Sequence, residues 1–202
     1  MTFKVGDKVK FRAIEGTPTS DELSDLIGTV GQESHLAVWI LASYIYDLPD
    51  GTIADCVYAA CREPLAAALL LEKLSHKRDR LTLQQIQACI QAASQEPLAA
   101  QYLLVHVDHN KKPKLLTVKQ RNHCIEVICQ NPEAAAKTLV STVNLSQTYI
   151  AKLVASAVSN SDWAEYVMDY AYSQPVVEYL QIHGYGLPGK TWIDPACRIA
   201  NP

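Results

Sequence analysis

The chain repeats itself, and the repeat limits what it can fold into. Leu81-Thr82 opens a segment that continues through Cys89, Pro97, Ala99-Ala100 and Leu104. Leu116-Thr117 opens another, with Cys124, Pro132, Ala134-Ala135 and Leu139 at the same offsets. The pentapeptide Glu96-Pro97-Leu98-Ala99-Ala100 also occurs earlier, as Glu63-Pro64-Leu65-Ala66-Ala67, with Leu71 beyond it. A degenerate copy runs from Leu145-Ser146 to Asn160-Ser161-Asp162-Trp163-Ala164. Self-similarity at a period of roughly 30–35 residues marks an α-helical repeat array, in which each unit buries its apolar face against its neighbours. The expected fold is therefore mainly α, with residues 52–182 forming the repeat domain.

Local signals within each copy agree. Pro64 and Pro97 fit a first helical turn, where the missing N–H costs nothing. Thr82 and Thr117 are expected N-caps, and Ser146 and Ser161 are expected to cap the last two clear helices. After Thr82, the residues Leu83, Ile86, Cys89, Ile90 and Ala93 fall on one helical face, with Gln84, Gln85, Gln87 and Gln91 away from it. The copy after Thr117 keeps the pattern with Val118, Cys124, Ile125 and Ile128 but breaks it once. Arg121 stands where Ile86 stood, which predicts a position at the rim. Asn131-Pro132-Glu133 combines a cap, a proline and an acid in helix-start order. Trp163 and Tyr166 supply bulk for the end of the array.

Residues 1–51 read differently. A strand is expected around Val9–Phe11 after the Gly6-Asp7 turn, then a loop with Gly16 and Pro18, and a short helical turn over 21–26. Gly28-Thr29-Val30 begins a second strand. The β-branched and aromatic stretch 38–46 predicts a third, closing on the hairpin signal Asp50-Gly51. Val5-Gly6-Asp7-Lys8-Val9, Gly28-Thr29-Val30 and the aromatic stretch ending at Asp50-Gly51-Thr52 together resemble a small SH3-like barrel of the KOW type. That resemblance implies binding of RNA, protein segments or neighbouring domains rather than catalysis. Segment 52–60 is contested between a last barrel strand and a first repeat helix. Val57 and Tyr58 favour strand, while Ala54, Ala59, Ala60 and the 33-residue offset from Cys56 to Cys89 favour helix. The paired helices resemble HEAT-like or variant leucine-rich repeats in layout. Residues 183–202, rich in Gly and Pro, read as an extended tail carrying Trp192 and Ile193.

Composition enters where chemistry is concerned. Hydrophobic residues make up 49% and charged residues 19% of 202, which predicts a packed core. The net charge of −3 gives no global attraction to nucleic acid or membrane. No apolar run is long enough to span a bilayer, and no signal-peptide core follows Met1, so a cytoplasmic protein is expected. Cys56, Cys61, Cys89, Cys124, Cys129 and Cys197 show no CxxC and no zinc-finger spacing. Cys89 and Cys124 occupy equivalent positions on an apolar face, where a thiol serves as a small core hydrophobe.

Three motifs invite chemistry. Gly184 and Gly189-Lys190-Thr191 match the P-loop spacing, but a phosphate cradle needs a strand before the loop and a helix after it, and Pro195 follows too soon. His106-Val107-Asp108-His109 suggests a metal, yet a solvated helix end beside Lys111-Lys112-Pro113-Lys114 accounts for it better. No nucleophile elbow or paired acid–base carboxylates occur, so no catalytic residue, metal or cofactor is assigned. The clearest charge feature is local. Lys73, Lys77, Arg78 and Arg80 lie between the helices of one repeat, and Lys111, Lys112, Lys114, Lys119 and Arg121 at the equivalent joint of the next. Stacked repeats would align these as one basic edge, either a solubilising surface or a site for an anionic partner. The expected role is a non-catalytic adaptor or assembly protein whose partner is another protein or a macromolecular assembly. The alternative is sequence-independent binding of RNA or DNA through that edge.

Overall fold

A computed structural model describes residues 33–109, 115–142, 145–171 and 173–185. Among these, ten α-helices and no strand are present. They are α1 (Ser34–Tyr44), α2 (Asp50–Ala60), α3 (Pro64–Lys73), α4 (Leu83–Ala93), α5 (Pro97–Tyr102), α6 (Val118–Ile128), α7 (Pro132–Ser141), α8 (Gln147–Ala157), α9 (Ser161–Tyr170) and α10 (Gln174–Ile182). A 3-10 turn, Arg78–Arg80, precedes α4, and α5 continues as a π-helical segment, Leu103–His109. The expected strands near Val9–Phe11 and Gly28-Thr29-Val30, the turn at 21–26 and the tail beyond Tyr185 lie outside the described residues.

The helix starts follow from side-chain chemistry. Thr82 and Gln85 form a reciprocal capping box: Thr82 Oγ1 accepts from Gln85 N–H at 3.2 Å and Gln85 Oε1 from Thr82 N–H at 2.8 Å. Thr117 and Gln120 repeat it at 3.2 and 2.9 Å. Asn131 Oδ1 accepts from Ala134 N–H at 3.0 Å, with Pro132 at the first helical position. Ser146 Oγ accepts from Tyr149 N–H. At α3 and α5 the start is set by Pro64 and Pro97, which hold Glu63 and Glu96 extended. One cap is shifted from expectation. Asn160, not Ser161, caps α9, accepting from both Asp162 and Trp163 N–H, and Ser161 is already helical. The amide oxygen of Asn160, one residue earlier, reaches two orphan donors at once.

The aromatic stretch 38–46 is a correction. It is helical from Ser34 to Tyr44, and Asp50-Gly51 opens α2 behind an extended Pro49 instead of turning a hairpin. The local β preference of Val38, Trp39 and Ile40 is overridden by packing: Leu36, Ala37, Val38, Ile40 and Leu41 are all buried, a cluster too broad for one face of a strand. Segment 52–60 is likewise helical, within α2.

Alternate helices lie side by side. α1 packs on α3, α3 on α5, α5 on α7 and α7 on α9; α2 packs on α4, α6 on α8 and α8 on α10. Each odd helix also packs against the even helix that follows it, from α1–α2 to α7–α8. This placement explains the composition of the odd helices. α3 has neighbours on several sides, and its Ala66, Ala67, Ala68, Leu70 and Leu71 are all at 0% exposure. Ala99-Ala100 of α5 and Ala134-Ala135-Ala136 of α7 are just as buried, the small side chains allowing close approach. α4 is one-sided instead: Cys89, Ile90 and Ala93 are buried, while Gln84, Gln87 and Gln91 face out. Leu83, expected on that core face, is 73% exposed, because the first helical residue projects beyond the packed turn. Val118 repeats this at 66%. Between even helices the exposed surface is laced by amides, with Gln120 Nε2 donating to Gln87 Oε1 at 2.8 Å and Tyr149 Oη to Asn122 Oδ1. No helix among the described residues is long and apolar enough to cross a membrane.

Candidate functional site

The basic joints begin as a problem of helix ends. An α-helix leaves its last carbonyls without intrahelical donors, and its C-terminus carries partial negative charge. Lys77 Nζ donates to Ala42 O in the last turn of α1 at 2.8 Å, and lies 5.7 Å from the Tyr46 ring centre. Arg78 Nη2 donates to Leu71 O in the last turn of α3 at 3.2 Å. Arg80 Nη2 donates to Leu48 O at 3.2 Å and approaches Asp50 Oδ1 at 3.6 Å. Burial pushes the Arg78 guanidinium down in titration, against the opposing pull of Asp108. The Nε atoms of Arg78 and Arg80 are buried with no hydrogen-bond partner, so both guanidiniums are inserted into the joint rather than displayed on it.

The next joint is built around a buried acid. Asp108, in the π-helical segment, is 1% exposed. Its Oδ1 accepts from Leu116 N–H at 2.8 Å and its Oδ2 from Arg121 Nε at 2.7 Å, while Arg121 Nη2 donates to Leu116 O at 2.8 Å. Arg121 is therefore tied inward. Its replacement of Ile86 in the repeat was the visible signal of this pair, but the partner was hidden. The candidate metal group is dispersed by the same turn: Asp108 points into the protein, whereas His106 is exposed and lies against Tyr102 in a tilted ring pair with centres 4.4 Å apart. The expectation of a solvated helix end fails for Asp108, because the wider π turn rotates its carboxylate toward Arg121. Among the described residues no group of three or more His, Cys, Asp or Glu is placed to hold a metal.

Of the nine cations singled out, Lys77, Arg78, Arg80 and Arg121 thus hold carbonyls or carboxylates of their own chain. Lys73 and Lys119 are exposed. Lys111, Lys112 and Lys114 lie outside the described residues.

Beside the first joint is an open cleft of about 480 Å³ at the starts of α2 and α4, lined by Asp50, Ile53, Asp79, Arg80, Leu81, Thr82 and Gln85. Much of its polar surface is already engaged. Thr82 and Gln85 satisfy each other, Arg80 faces Asp50, and Tyr46 Oη donates to Asp79 at 3.4 Å. No nucleophile stands beside a base in this lining. What it adds to the surface is shape, next to exposed Tyr46 and Leu83.

The P-loop spacing dissolves at its first glycine. Gly184 has φ +71°, follows α10, and donates to Gln181 O, while Tyr185 N–H reaches back to Leu180 O at 3.0 Å. These two bonds are a Schellman helix stop, for which glycine is suited because it adopts the left-handed conformation freely. The residues before it form a helix, where a phosphate loop requires a strand. Gly189, Lys190 and Thr191 lie outside the described residues.

Five described cysteines are free thiols. Cys56, Cys89 and Cys124 are fully buried, and Cys61 and Cys129 are partly exposed. Burial pushes Cys56 up to about 11 and Cys124 up to about 12, with nearby Asp55 and Asp108 respectively adding to the effect. Neither is poised as a nucleophile at neutral pH.

Comparison with protein-family models, with curated proteins and with solved structures found no match.

Proposed function

We propose that this chain is a non-catalytic α-solenoid adaptor that offers the starts of its even-numbered helices to another protein. The observation that carries the reading is the packing of alternate helices from α1 to α9, together with a sequence repeat in phase with it. Stacked units of this kind give an extended surface in place of a deep pocket. Along it, Leu83 and Val118 stand exposed at equivalent positions, one on each of two helices bridged by Gln87 and Gln120. Apolar side chains exposed at matching sites suit a protein partner better than a phosphate backbone. A cytoplasmic location goes with this reading.

Binding of RNA or DNA through the basic edge is the second reading, supported by exposed Lys73 and Lys119. It is weakened by the four cations that already serve helix ends and Asp108. Affinity purification from native lysate, at low and physiological salt and with and without nuclease, separates the two. The adaptor reading expects a stoichiometric protein partner that survives salt and nuclease and is lost in Leu83→Glu/Val118→Glu. Release by nuclease and steep loss with salt favour the nucleic-acid reading. A clean monomer in every condition overturns both.

A further inference from the structure

Two thiols meet where α2 ends against α4. Cys61 is the C-terminal cap residue of α2, with φ −69° and ψ −8°, and Cys89 lies mid-way along α4. Their sulfurs are 3.6 Å apart, at thiol–thiol hydrogen-bond distance, across 28 residues of sequence. Cys89 is at 0% exposure, whereas Cys61 is partly open to solvent.

We propose that Cys61 and Cys89 form a peroxide-responsive pair, in which Cys61 is oxidised first and Cys89 resolves it as a disulfide that ties α2 to α4. The Cys61 thiolate attacks one oxygen of a hydroperoxide such as hydrogen peroxide, and the O–O bond breaks. Sulfur is oxidised to the sulfenic acid, and the departing hydroxide takes up a proton as water. The Cys89 sulfur then attacks the Cys61 sulfur, breaking its S–O bond. The hydroxyl leaves with the Cys89 proton as a second water. In sum, two thiols and one peroxide give one disulfide and two waters. A small thiol such as glutathione reverses the change by exchange.

Three observations single this pair out. Access is the first: among the described cysteines, Cys56, Cys89 and Cys124 are sealed from solvent, whereas Cys61 and Cys129 are partly exposed. The second is the thiol–thiol hydrogen bond that Cys61 shares with Cys89, which holds the Cys61 thiol below its ordinary range even though burial opposes this. Cys89 is correspondingly pushed far up and keeps its proton until the second step. The third is a comparison within the chain. Cys129 closes α6 as Cys61 closes α2, but burial pushes its thiol up, and the Ser156 hydroxyl donates to its carbonyl instead. It has the exposure, but among the described residues no sulfur lies in hydrogen-bond contact with it.

The distance is compatible with closure. A disulfide needs sulfurs about 2.0 Å apart, so roughly 1.5 Å must be gained by rotation about the Cα–Cβ bonds and a small shift. Cys61 sits at a helix end, in the turn before Pro64, and is only partly buried.

The test uses the full-length protein, fully reduced and then exposed to about one equivalent of hydrogen peroxide before remaining thiols are alkylated. Trypsin cuts after Arg62, Lys73, Lys77, Arg78 and Arg80, which places Cys61 and Cys89 on different peptides. The expected product is a linked peptide pair that has lost two hydrogens, reverts with glutathione, and persists in Cys56→Ser. It disappears in Cys61→Ser, where Cys89 stays reduced. In Cys89→Ser a dimedone adduct should collect on Cys61 several-fold faster than on Cys129. Equal modification of Cys61 and Cys129 without a linked peptide overturns the proposal. So does a first disulfide made through Cys197 or between two chains. The wild-type peptide map decides even if Cys89→Ser fails to fold.

Discussion

Asp108 and Arg121 hold the joint between α5 and α6 closed, with the carboxylate taking the Arg121 Nε–H at 2.7 Å and the Leu116 N–H beside it. Because Asp108 is buried and Arg121 only partly so, the two sides of the pair are unequal. Arg121→Ala strips the guanidinium from a buried carboxylate and should cost about 3 kcal/mol. Asp108→Asn keeps the shape and one acceptor and should cost about 1–2 kcal/mol. Urea unfolding of the two single variants and the double variant checks this. A coupling near zero in that cycle would show that the pair contributes nothing specific.

Capping gives a sharper comparison, since the same device occurs twice. Thr82→Ala and Thr117→Ala should each lower stability by about 1 kcal/mol, and Thr→Ser at either site by much less. Equal losses are expected, because the two boxes have nearly the same geometry. Thermal or urea unfolding measures both.

The cations divide into two groups by what they touch. Lys77→Ala and Arg78→Ala each strip a donor from the last turn of a helix and should cost about 1–2 kcal/mol. Lys73→Ala and Lys119→Ala, at exposed positions, should stay within about 0.5 kcal/mol. If the second pair also abolishes retention on immobilised RNA while leaving stability unchanged, the exposed lysines bind anions.

Alkali should unfold the protein from a predictable point. Cys56 is raised to about 11, Cys124 to about 12 and Tyr102 to about 12, from 9.0, 9.0 and 10.0. For Tyr102 the causes are burial and then the hydrogen bond it donates to Glu72. In each case the protonated form is the neutral one that the fold favours, so above about pH 9 the native state binds more protons than the unfolded chain. The contribution is complete below that pH and is lost as pH climbs through 11 to 12. Helical ellipticity followed against pH should fall in this window, and Cys124→Ala should shallow the decline.

What could be read from the chain before its structure follows a physical line. Helix starts were legible because caps and N1 prolines act within four residues, as at Thr82, Thr117 and Pro132. The α1 segment was misread because Val38, Trp39 and Ile40 prefer strands locally, and only α2 and α3 packed against them decide otherwise. Leu83 was misplaced because periodicity assigns a face without regard to where the helix begins. Asp108 was expected at a solvated helix end because its partner Arg121 lies thirteen residues on, across a joint that no local pattern spans. The pairing of Cys61 with Cys89 was invisible, since it joins a helix end to the next helix but one, and no local pattern encodes that.

The π turn at Leu103–His109 has a consequence for how such a chain can change length. A π turn takes more residues per revolution than an α turn, so it can absorb an inserted residue without ending the helix. α2 and α4 start 33 residues apart and α4 and α6 start 35 apart, and the π turn lies within the longer span. Removing one residue there should restore ordinary α geometry and turn everything beyond it by about 100°. Asp108 would then swing off Arg121 while the helices on either side stayed intact. The chain carries its slack at this point, and insertions or deletions elsewhere along the odd-numbered helices should be far less forgiving.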